Sequence, residues 1–464
     1  MFTLKTTTTL LFLWLSLIFV YPVQSQISDI QEYDHGYLLY LSDPSISPSP
    51  ILTGRSGAMG SLQFTIRDST RDVFINPAKY YGNNGAILSP SLNIQDFQTE
   101  QNSGAGGIPL LQNSDNIAYS IPVGFMANLG SMYFAGAFGY TNYSLEEDIT
   151  QQNSDNGFDV NTAIEREISG RQFVVISGYR LSDDIAVSAS YQRNDLKRDE
   201  FTLNNINLIS TDFSVSQIMD FGKLGASINI LGGKSYLLGG VFKSQQEYDQ
   251  MDSVGFYWQE LSGILFQAEH LHPVSSTYSI GGFFGYEKRN FSDRTSTRLY
   301  DEYTNLTRSF QIGMGLNRIT KNSELGLEIL FRPINYELNQ NQPLQNPDGL
   351  TTLKQSIDSS HFIIRLGSDF NIWKTLRVQA GFSHTIASDR NLNQEIFTEV
   401  PSEDIFQRNF RNDSLNSPNR TLVTTGFGYS FQSLSIQYYL ELFYNNLGSN
   451  TPRYRNQLNL QYRF

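Results

Sequence analysis

The residues best suited to acid–base or metal chemistry in this sequence are five histidines: His35, His270, His272, His361 and His384. None stands in a His-Glu-x-x-His arrangement, and no Gly-x-Ser-x-Gly nucleophile turn occurs. His270 and His272 share one strand face, which we interpret as a solvated strand end rather than a metal site. The sequence therefore predicts a protein that is not an enzyme, with no catalytic residues, no bound metal and no cofactor.

Charged residues that alternate with apolar ones are more informative. Eight of them fall on strand faces that are predicted to point inward: Glu328, Arg332, Arg365, Asp369, Arg377, Glu441, Arg455 and Arg463. Both signs are present, which favours ion pairs within the wall or with a plug over a selectivity ring of a single sign. A water-filled pore with mixed charges explains the same pattern, and both interpretations stay open.

These charges need strands to position them, and the sequence alternates with period two in many segments. Over 454–464, Tyr, Leu and Phe share one face with Asn456, and Arg, Gln and Asn459 occupy the other. The same alternation recurs at 185–192, 324–332, 362–372 and 434–444. One face suits lipid and the other suits a watery lumen. We predict an all-β fold, an antiparallel transmembrane β-barrel of 14–16 strands. Tyr462 and Phe464 resemble the C-terminal signal that barrel-assembly machinery reads.

The connections also alternate in length. Short turns are predicted at 128–131, 181–184, 232–234, 320–322 and 373–375. Long polar connections are predicted near 97–115, 144–169, 194–207, 290–305, 337–359 and 388–419. Short turns on one side and long loops on the other are typical of outer-membrane barrels, in which the short turns face the periplasm.

Composition agrees with a barrel. The mean hydropathy is −0.31, yet 13% of the residues are aromatic, as expected when only alternate residues face lipid. There is no Cys, so no disulfide framework is expected. The net charge of −12 argues against a nucleic-acid partner.

The N-terminus predicts export and divides the chain into three parts. Residues 1–25 combine a positive start, a short apolar run and small residues before a cleavage site near Ser25, as in a secretory signal. Residues 26–84 do not alternate and are predicted to form a plug-like or hatch-like segment. Residues 85–464 are predicted to form the barrel in the cell outer membrane, with outer-membrane lipid as its surroundings.

Two motifs in residues 26–84 carry a resemblance to a known family. Arg55-x-x-Ala-Met59-Gly60 is followed by an acidic stretch and then by Asn76-Pro77-Ala78. This resembles the FadL-like superfamily of outer-membrane barrels, which includes hydrophobic-compound transporters and the PorV-type proteins of type IX secretion. The resemblance implies that Arg55, Met59, Gly60, Asn76, Pro77 and Ala78 are plug or gate residues. Residues 61–67 are bulkier than the family pattern, which puts a standard hatch in doubt.

Pro122 stands inside a strand-like segment. Because a closed barrel has no free edge for a residue without an N–H, this proline predicts a local break between neighbouring strands. The resemblance implies a lateral opening to the membrane there. A proline at the strand margin is the plainer interpretation, and Pro333 raises the same question.

Three functions are consistent with the sequence. The first is a gated passage for small hydrophobic compounds. The second is a PorV-like platform that binds a secreted protein or secretion machinery through its outer loops, with 388–419 as the contact surface. The third is a general aqueous porin without a plug. Fold alone does not choose among them.

Overall fold

The computed structural model describes the strands and turns of the barrel and part of the N-terminal segment. The described residues are Met59, Leu62, 64–66, 72–79, 86–103, 110–152, 159–204, 210–250, 257–295, 302–343, 349–399, 409–416, 420–445 and 453–463. The predicted signal peptide, Arg55, Gly60 and Phe464 lie outside them.

Among the described residues, seventeen strands form one sheet. They are β1 (Ala86–Ser103), β2 (Leu110–Leu129), β3 (Met132–Gln152), β4 (Asp159–Arg180), β5 (Ile185–Asn204), β6 (Ser210–Ile230), β7 (Gly233–Gln250), β8 (Tyr257–Pro273), β9 (Tyr278–Thr295), β10 (Glu302–Ile319), β11 (Ser323–Pro343), β12 (Gly349–Asn371), β13 (Leu376–Glu399), β14 (Asn409–Asn416), β15 (Arg420–Phe431), β16 (Leu434–Asn445) and β17 (Arg453–Arg463).

The sheet closes into a barrel because each strand pairs antiparallel with its neighbour in the chain and β1 pairs with β17. β14 and β15 both pair with β13, so they are successive pieces of one wall position. The described strands thus occupy sixteen positions around the barrel. The predicted antiparallel barrel of 14–16 strands is confirmed.

Short turns join the strands at one end of the barrel, at the predicted positions. Gly130 and Ser131 connect β2 to β3, and Gly130 has a φ of 69°. Leu231 and Gly232 connect β6 to β7 with φ values of 54° and 75°. Positive φ at both central residues gives the two-residue turn whose twist matches paired strands.

The two faces of the wall differ in chemistry. Outward side chains form an apolar belt, in which Leu224 is 70% exposed, Val241 60% and Met314 67%. Their inward neighbours in the chain are small, polar or buried, such as Gly225, Phe242 and Gly315. Such alternation matches a lipid-facing exterior.

In the described part of the chain, no helix is long and apolar enough to cross a membrane.

The strands continue well beyond the belt, which corrects the predicted long connections. On β4 the outward positions run from Tyr179 to Phe173 before Glu167 and Glu165, and both glutamates are exposed. The stretch 144–169, predicted as a connection, lies largely in β3 and β4. The outward positions are polar beyond the belt, so the outward apolar period ends although backbone pairing continues.

A charge placed in the belt tests its environment. Met314→Arg is expected to lower the free energy of unfolding by about 2–4 kcal/mol, since it puts a cation in hydrocarbon. The measurement is urea-induced unfolding of the barrel in lipid vesicles. Met314→Leu is the control for volume. Arg308→Ala, outside the belt, removes an exposed ion pair with Glu337 and is expected to cost about 1 kcal/mol or less. Equal stability of the Arg and Leu variants at 314 contradicts a lipid-facing belt.

Candidate functional site

Described residues between 59 and 79, here called the inner segment, are buried against the inner face of the wall. Met59 is 0% exposed, Leu62 1% and Phe74 3%. Fully burying a large apolar side chain contributes about 1.5–3 kcal/mol. The position of this segment is therefore specified by apolar packing, and polar contacts fix its two turns.

The first of these, the Asn-Pro-Ala turn (residues 76–79), is shaped by its own sequence. The side-chain oxygen of Asn76 accepts a hydrogen bond from the Ala78 N–H at 3.0 Å. The Asn76 carbonyl accepts one from the Lys79 N–H at 2.9 Å. Pro77 opens the short 3-10 helix η1 (Pro77–Lys79), where its missing N–H costs nothing. Asparagine followed by proline thus sets a tight turn directly after helix α1 (Asp72–Ile75).

The Asn-Pro-Ala turn lies against six consecutive strands, β3 to β8. The Tyr133 hydroxyl on β3 donates to the Pro77 carbonyl at 2.7 Å. Lys79 Nζ lies 2.5 Å from Glu269 Oε2 on β8 and 5.7 Å from the centre of the Tyr236 ring on β7. Lys79 and Glu269 are nearly fully buried, so each depends on the other for its charge. Removing one partner of such a pair typically costs about 3–5 kcal/mol.

Just before this turn, Val73 and Phe74 join an apolar cluster on the wall. Its wall members are Met126, Tyr133, Ala135, Ala137, Val174 and Ile176, on β2, β3 and β4. Lys223 Nζ on β6 lies 3.5 Å from the Phe74 carbonyl. This cluster interlocks segment side chains with wall side chains.

The second contact, the Phe64 turn (Leu62 and residues 64–66), is fixed by one carboxylate. Glu328 on β11 is 0% exposed. Its Oε1 accepts hydrogen bonds from the Phe64 N–H at 2.8 Å, the Thr65 N–H at 2.9 Å and the Thr65 hydroxyl at 2.9 Å. Its Oε2 lies 3.5 Å from Arg365 on β12. Glu328 therefore satisfies turn donors that burial would otherwise leave without water.

Four wall glycines, here called the glycine bed, lie beneath the Phe64 turn and Met59. They are Gly281 on β9, Gly315 on β10, Gly326 on β11 and Gly367 on β12, and they form two directly opposed pairs. A β-carbon on Gly281 would come 2.9 Å from Phe64 Cδ2, and one on Gly326 would come 2.6 Å from Leu62 Cδ1. Glycine is thus required for the close approach of the turn to the wall. The Phe64 ring stacks on Phe283 with centroids 5.6 Å apart.

The two contacts are adjacent along the wall. The Asn-Pro-Ala turn lies against β3 to β8, and the Phe64 turn and Met59 lie over β9 to β12. The described residues of the inner segment therefore line the inner face of ten consecutive strands. Its wall partners lie near the ends that carry the short turns.

The structure places the other predicted charges as follows. Arg377 lies 3.9 Å from Asp369, and Arg332 lies 3.8 Å from Glu287. Glu441 is buried and stands opposite Arg455 in the β16–β17 ladder. The side chains of Arg455 and Arg463 lie outside the described residues, whereas Tyr462 points outward and is 44% exposed. Pore selectivity and assembly roles for these residues stay predictions.

Prolines interrupt the ladders, as the sequence predicted for Pro122. Pairing between β1 and β2 is missing at Ser91 and Leu92, opposite Ile121 and Pro122, while Pro122 stays paired with Gly139 on β3. Pro333 breaks the β10–β11 ladder in the same way and keeps its partner on β12.

Pro90 adds a break that sequence reasoning missed, since the β1–β17 ladder skips Ser89 and Pro90. A proline has no N–H to give to one neighbour, and this accounts for each break. On β1, Ser89 and Pro90 consequently lack pairing with β17, and Ser91 and Leu92 lack pairing with β2.

His270 and His272 show ordinary contacts, whereas His35 lies outside the described residues. The His270 and His272 rings are 6.0 Å apart, and Ser235 Oγ lies 2.8 Å from His270 Nδ1. Within the described ranges, no group of three or more His, Asp or Glu side chains is arranged to hold a metal ion.

No family model and no curated protein matches the chain. Among solved structures, it is similar to the toluene transporter TodX of Pseudomonas putida, with a TM-score of 0.44 at 9% identity over 89% of this chain and 98% of that one. For the Ralstonia pickettii toluene transporter TbuX, the TM-score is 0.41 at 13% identity, over 90% of this chain and 98% of that one. For a Pseudomonas aeruginosa FadL homologue, the TM-score is 0.39 at 10% identity, over 89% of this chain and 98% of that one. These are barrels of the kind that the motif resemblance names, but likeness at this level carries no argument about function.

Lys79→Met tests the buried ion pair. It leaves Glu269 charged and buried, so we expect the Asn-Pro-Ala turn to loosen by about 3–5 kcal/mol. The double variant Lys79→Met/Glu269→Gln removes both charges and is expected to recover most of the loss. Hydrogen–deuterium exchange of amides 73–79 measures both effects. Equal exchange in the single and double variants contradicts the assigned pairing.

Proposed function

We propose that this chain forms a gated passage for small hydrophobic compounds across the outer membrane. The single observation that carries the proposal is the inner segment, whose described residues lie inside the barrel and pack against the inner face of the wall through Phe64 and Phe74. An apolar segment held by a few specific polar contacts obstructs free flow of water and ions. It also offers apolar surface to a hydrophobic ligand.

The proposed exit is sideways, next to Pro122. Ile121 and Val123 on either side of Pro122 face outward and are exposed by 45% and 37%. Met126, which contacts the inner segment, is four residues along β2, a distance of about 13 Å. The interrupted β1–β2 ladder thus lies between the segment and the lipid-facing side, where a hydrophobic compound is most soluble.

A secretion platform is the second candidate, favoured by one observation. β13 and β14 pair as far as Ile396 and Asn409, well beyond the belt residue Ile386. A wall that continues outside the membrane provides surface for a secreted protein. Co-purification of secretion components with the barrel would favour this candidate over transport. A general porin is the weakest of the three, because the inner segment occupies the lumen that a porin leaves open.

Deleting residues 26–84 tests the plug. The full mature chain is expected to be closed in planar bilayers, and the truncated barrel is expected to conduct ions, because the deletion removes the inner segment and leaves β1 to β17 intact. Heat-modifiable migration on gels provides the folding control. Equal conductance of the two proteins identifies a plain porin and contradicts a plugging role.

Replacing Pro122 tests the lateral exit. Pro122→Ala restores an N–H, so the β1–β2 ladder can close and uptake of labelled fatty acid or hydrocarbon by cells is expected to fall several-fold. Pro333→Ala is the matched control, since it repairs the same kind of interruption between β10 and β11. The lateral exit is wrong if both variants, or neither, lose uptake.

A further inference from the structure

We propose that Lys288 and Arg308, on the outer surface of the barrel, bind the phosphate headgroup of a lipid in the outer leaflet of the membrane. The two residues are directly opposed in the β9–β10 ladder. They alternate with inward residues in step with Phe284 and Phe310, whose side chains are exposed to the outside. The proposal goes beyond the proposed function, because it does not depend on what passes through the barrel.

The pair lies at one edge of the apolar belt. On β10 the outward side chains from Phe310 to Leu316 are apolar and exposed, with Arg308 before them and Arg318 after them. The ten residues between the two arginines span about 34 Å along a strand, or about 25 Å across the membrane at a tilt of about 45°. This matches the apolar band of outer-membrane barrels, whose short turns face the periplasm. The end of β10 that carries Arg308 is the end away from its short turn, so the pair lies at the headgroup level of the outer leaflet.

The charges of the pair are not balanced by the wall. Side chains directly opposite in an antiparallel ladder have Cβ atoms about 4.5–5.5 Å apart, and like charges at such positions are destabilising. Arg308 Nη1 lies 3.8 Å from Glu337 Oε1, with both side chains 45% exposed. No carboxylate among the described residues forms an ion pair with Lys288. An anion between the two cations would therefore remove a repulsion that the protein itself leaves in place.

The carboxylate next to Lys288 in the chain is on the other side of the wall. Glu287 Oε1 accepts a hydrogen bond from Arg289 Nε at 2.6 Å, and Glu287 Oε2 lies 3.8 Å from Arg332. These three side chains occupy inward positions of β9 and β11. Glu287 thus balances charge inside the barrel and leaves Lys288 without a counter-charge outside it.

Other outward cations beyond the belt have a carboxylate of their own. Lys197 lies 2.9 Å from Asp199, and Lys243 lies 3.2 Å from Glu260. The chain as a whole carries a net charge of −12. The unbalanced positive charge at Lys288 is therefore a local feature and does not follow from a basic composition.

The surface directly below the pair suits the rest of a lipid. Tyr286 and Phe310 are opposed in the same ladder, and their ring centroids are 4.9 Å apart. Arginine binds phosphate through a planar fork of donors, and lysine binds it as a point charge. Two cations above aromatic rings and an apolar belt fit an amphiphile with a phosphorylated head and acyl chains. Inorganic phosphate has no group that contacts the belt, so the lipid is the occupant that the whole surface matches.

Native mass spectrometry of the mature chain in detergent tests the site, with diphosphoryl lipid A as the probe. Lys288→Gln is expected to raise the apparent Kd by about fivefold, as for one cation lost near a membrane surface. Lys288→Arg keeps the charge and is expected to bind like the unmodified chain. The matched control is Lys243→Gln, whose lysine already has a carboxylate partner. The proposal is wrong if Lys288→Gln weakens binding no more than the control does. It is also wrong if fully dephosphorylated lipid A binds the unmodified chain as tightly as the diphosphoryl form.

Urea-induced unfolding in two kinds of vesicle separates lipid binding from packing. In phosphatidylcholine alone, Lys288→Gln relieves the repulsion from Arg308 and is expected to unfold at the same urea concentration as the unmodified chain or at a higher one. In phosphatidylcholine with lipid A, it is expected to unfold at a lower concentration than the unmodified chain, because a ligand of the folded state stabilises that state. An equal loss of stability in both vesicles shows that Lys288 serves only packing, and it overturns the proposal.

Discussion

The structure depends on the requirement that backbone N–H and C=O groups in hydrocarbon find partners within the protein. A sheet meets it only by closing, and the pairing of β1 with β17 closes this one. Closure gives every strand an outer and an inner face, and so explains the alternation of Met314 with Gly315 along a single strand. Each strand proline is a local exception, in which one ladder is kept and the other is lost.

The inner segment meets the same requirement without a sheet. Its turns bury backbone groups that the regular ladders do not serve, so wall side chains supply the partners. Glu328 accepts from two backbone amides of one turn, and Tyr133 donates to a carbonyl of the other. The wall therefore has a composition that accommodates the segment, since the glycine bed leaves space that any larger side chain would fill.

Sequence reasoning correctly predicted the features that repeat along the chain or that depend on turn-forming residues and proline. The barrel, its strand number, its short turns and the break at Pro122 follow from alternation and from the missing N–H of proline. The partners of the Phe64 turn did not follow, because Glu328 and Gly281 contact it across large separations in the chain and carry no local signal. Gly315 and Gly326 also look like ordinary small inward residues until the segment is seen above them. Lys79 stood beside the Asn-Pro-Ala motif, but its partner Glu269 is far along the chain. Loop lengths were overestimated where polar faces hide continued strands.

Under the proposed function, opening and control belong to different parts of the molecule. A ladder interrupted at Pro90 or Pro122 is a permanent feature, because no rearrangement gives proline an N–H. Such an interruption weakens the wall between β1 and its neighbours at all times, so it does not by itself regulate passage. Regulation requires an element with two arrangements of similar free energy. In the described interior, the candidate for such an element is the inner segment, which is held by buried polar contacts such as the hydrogen bonds to Glu328 and the Lys79–Glu269 ion pair. The structure thus combines interrupted ladders in the wall with an inner segment that specific contacts hold against it.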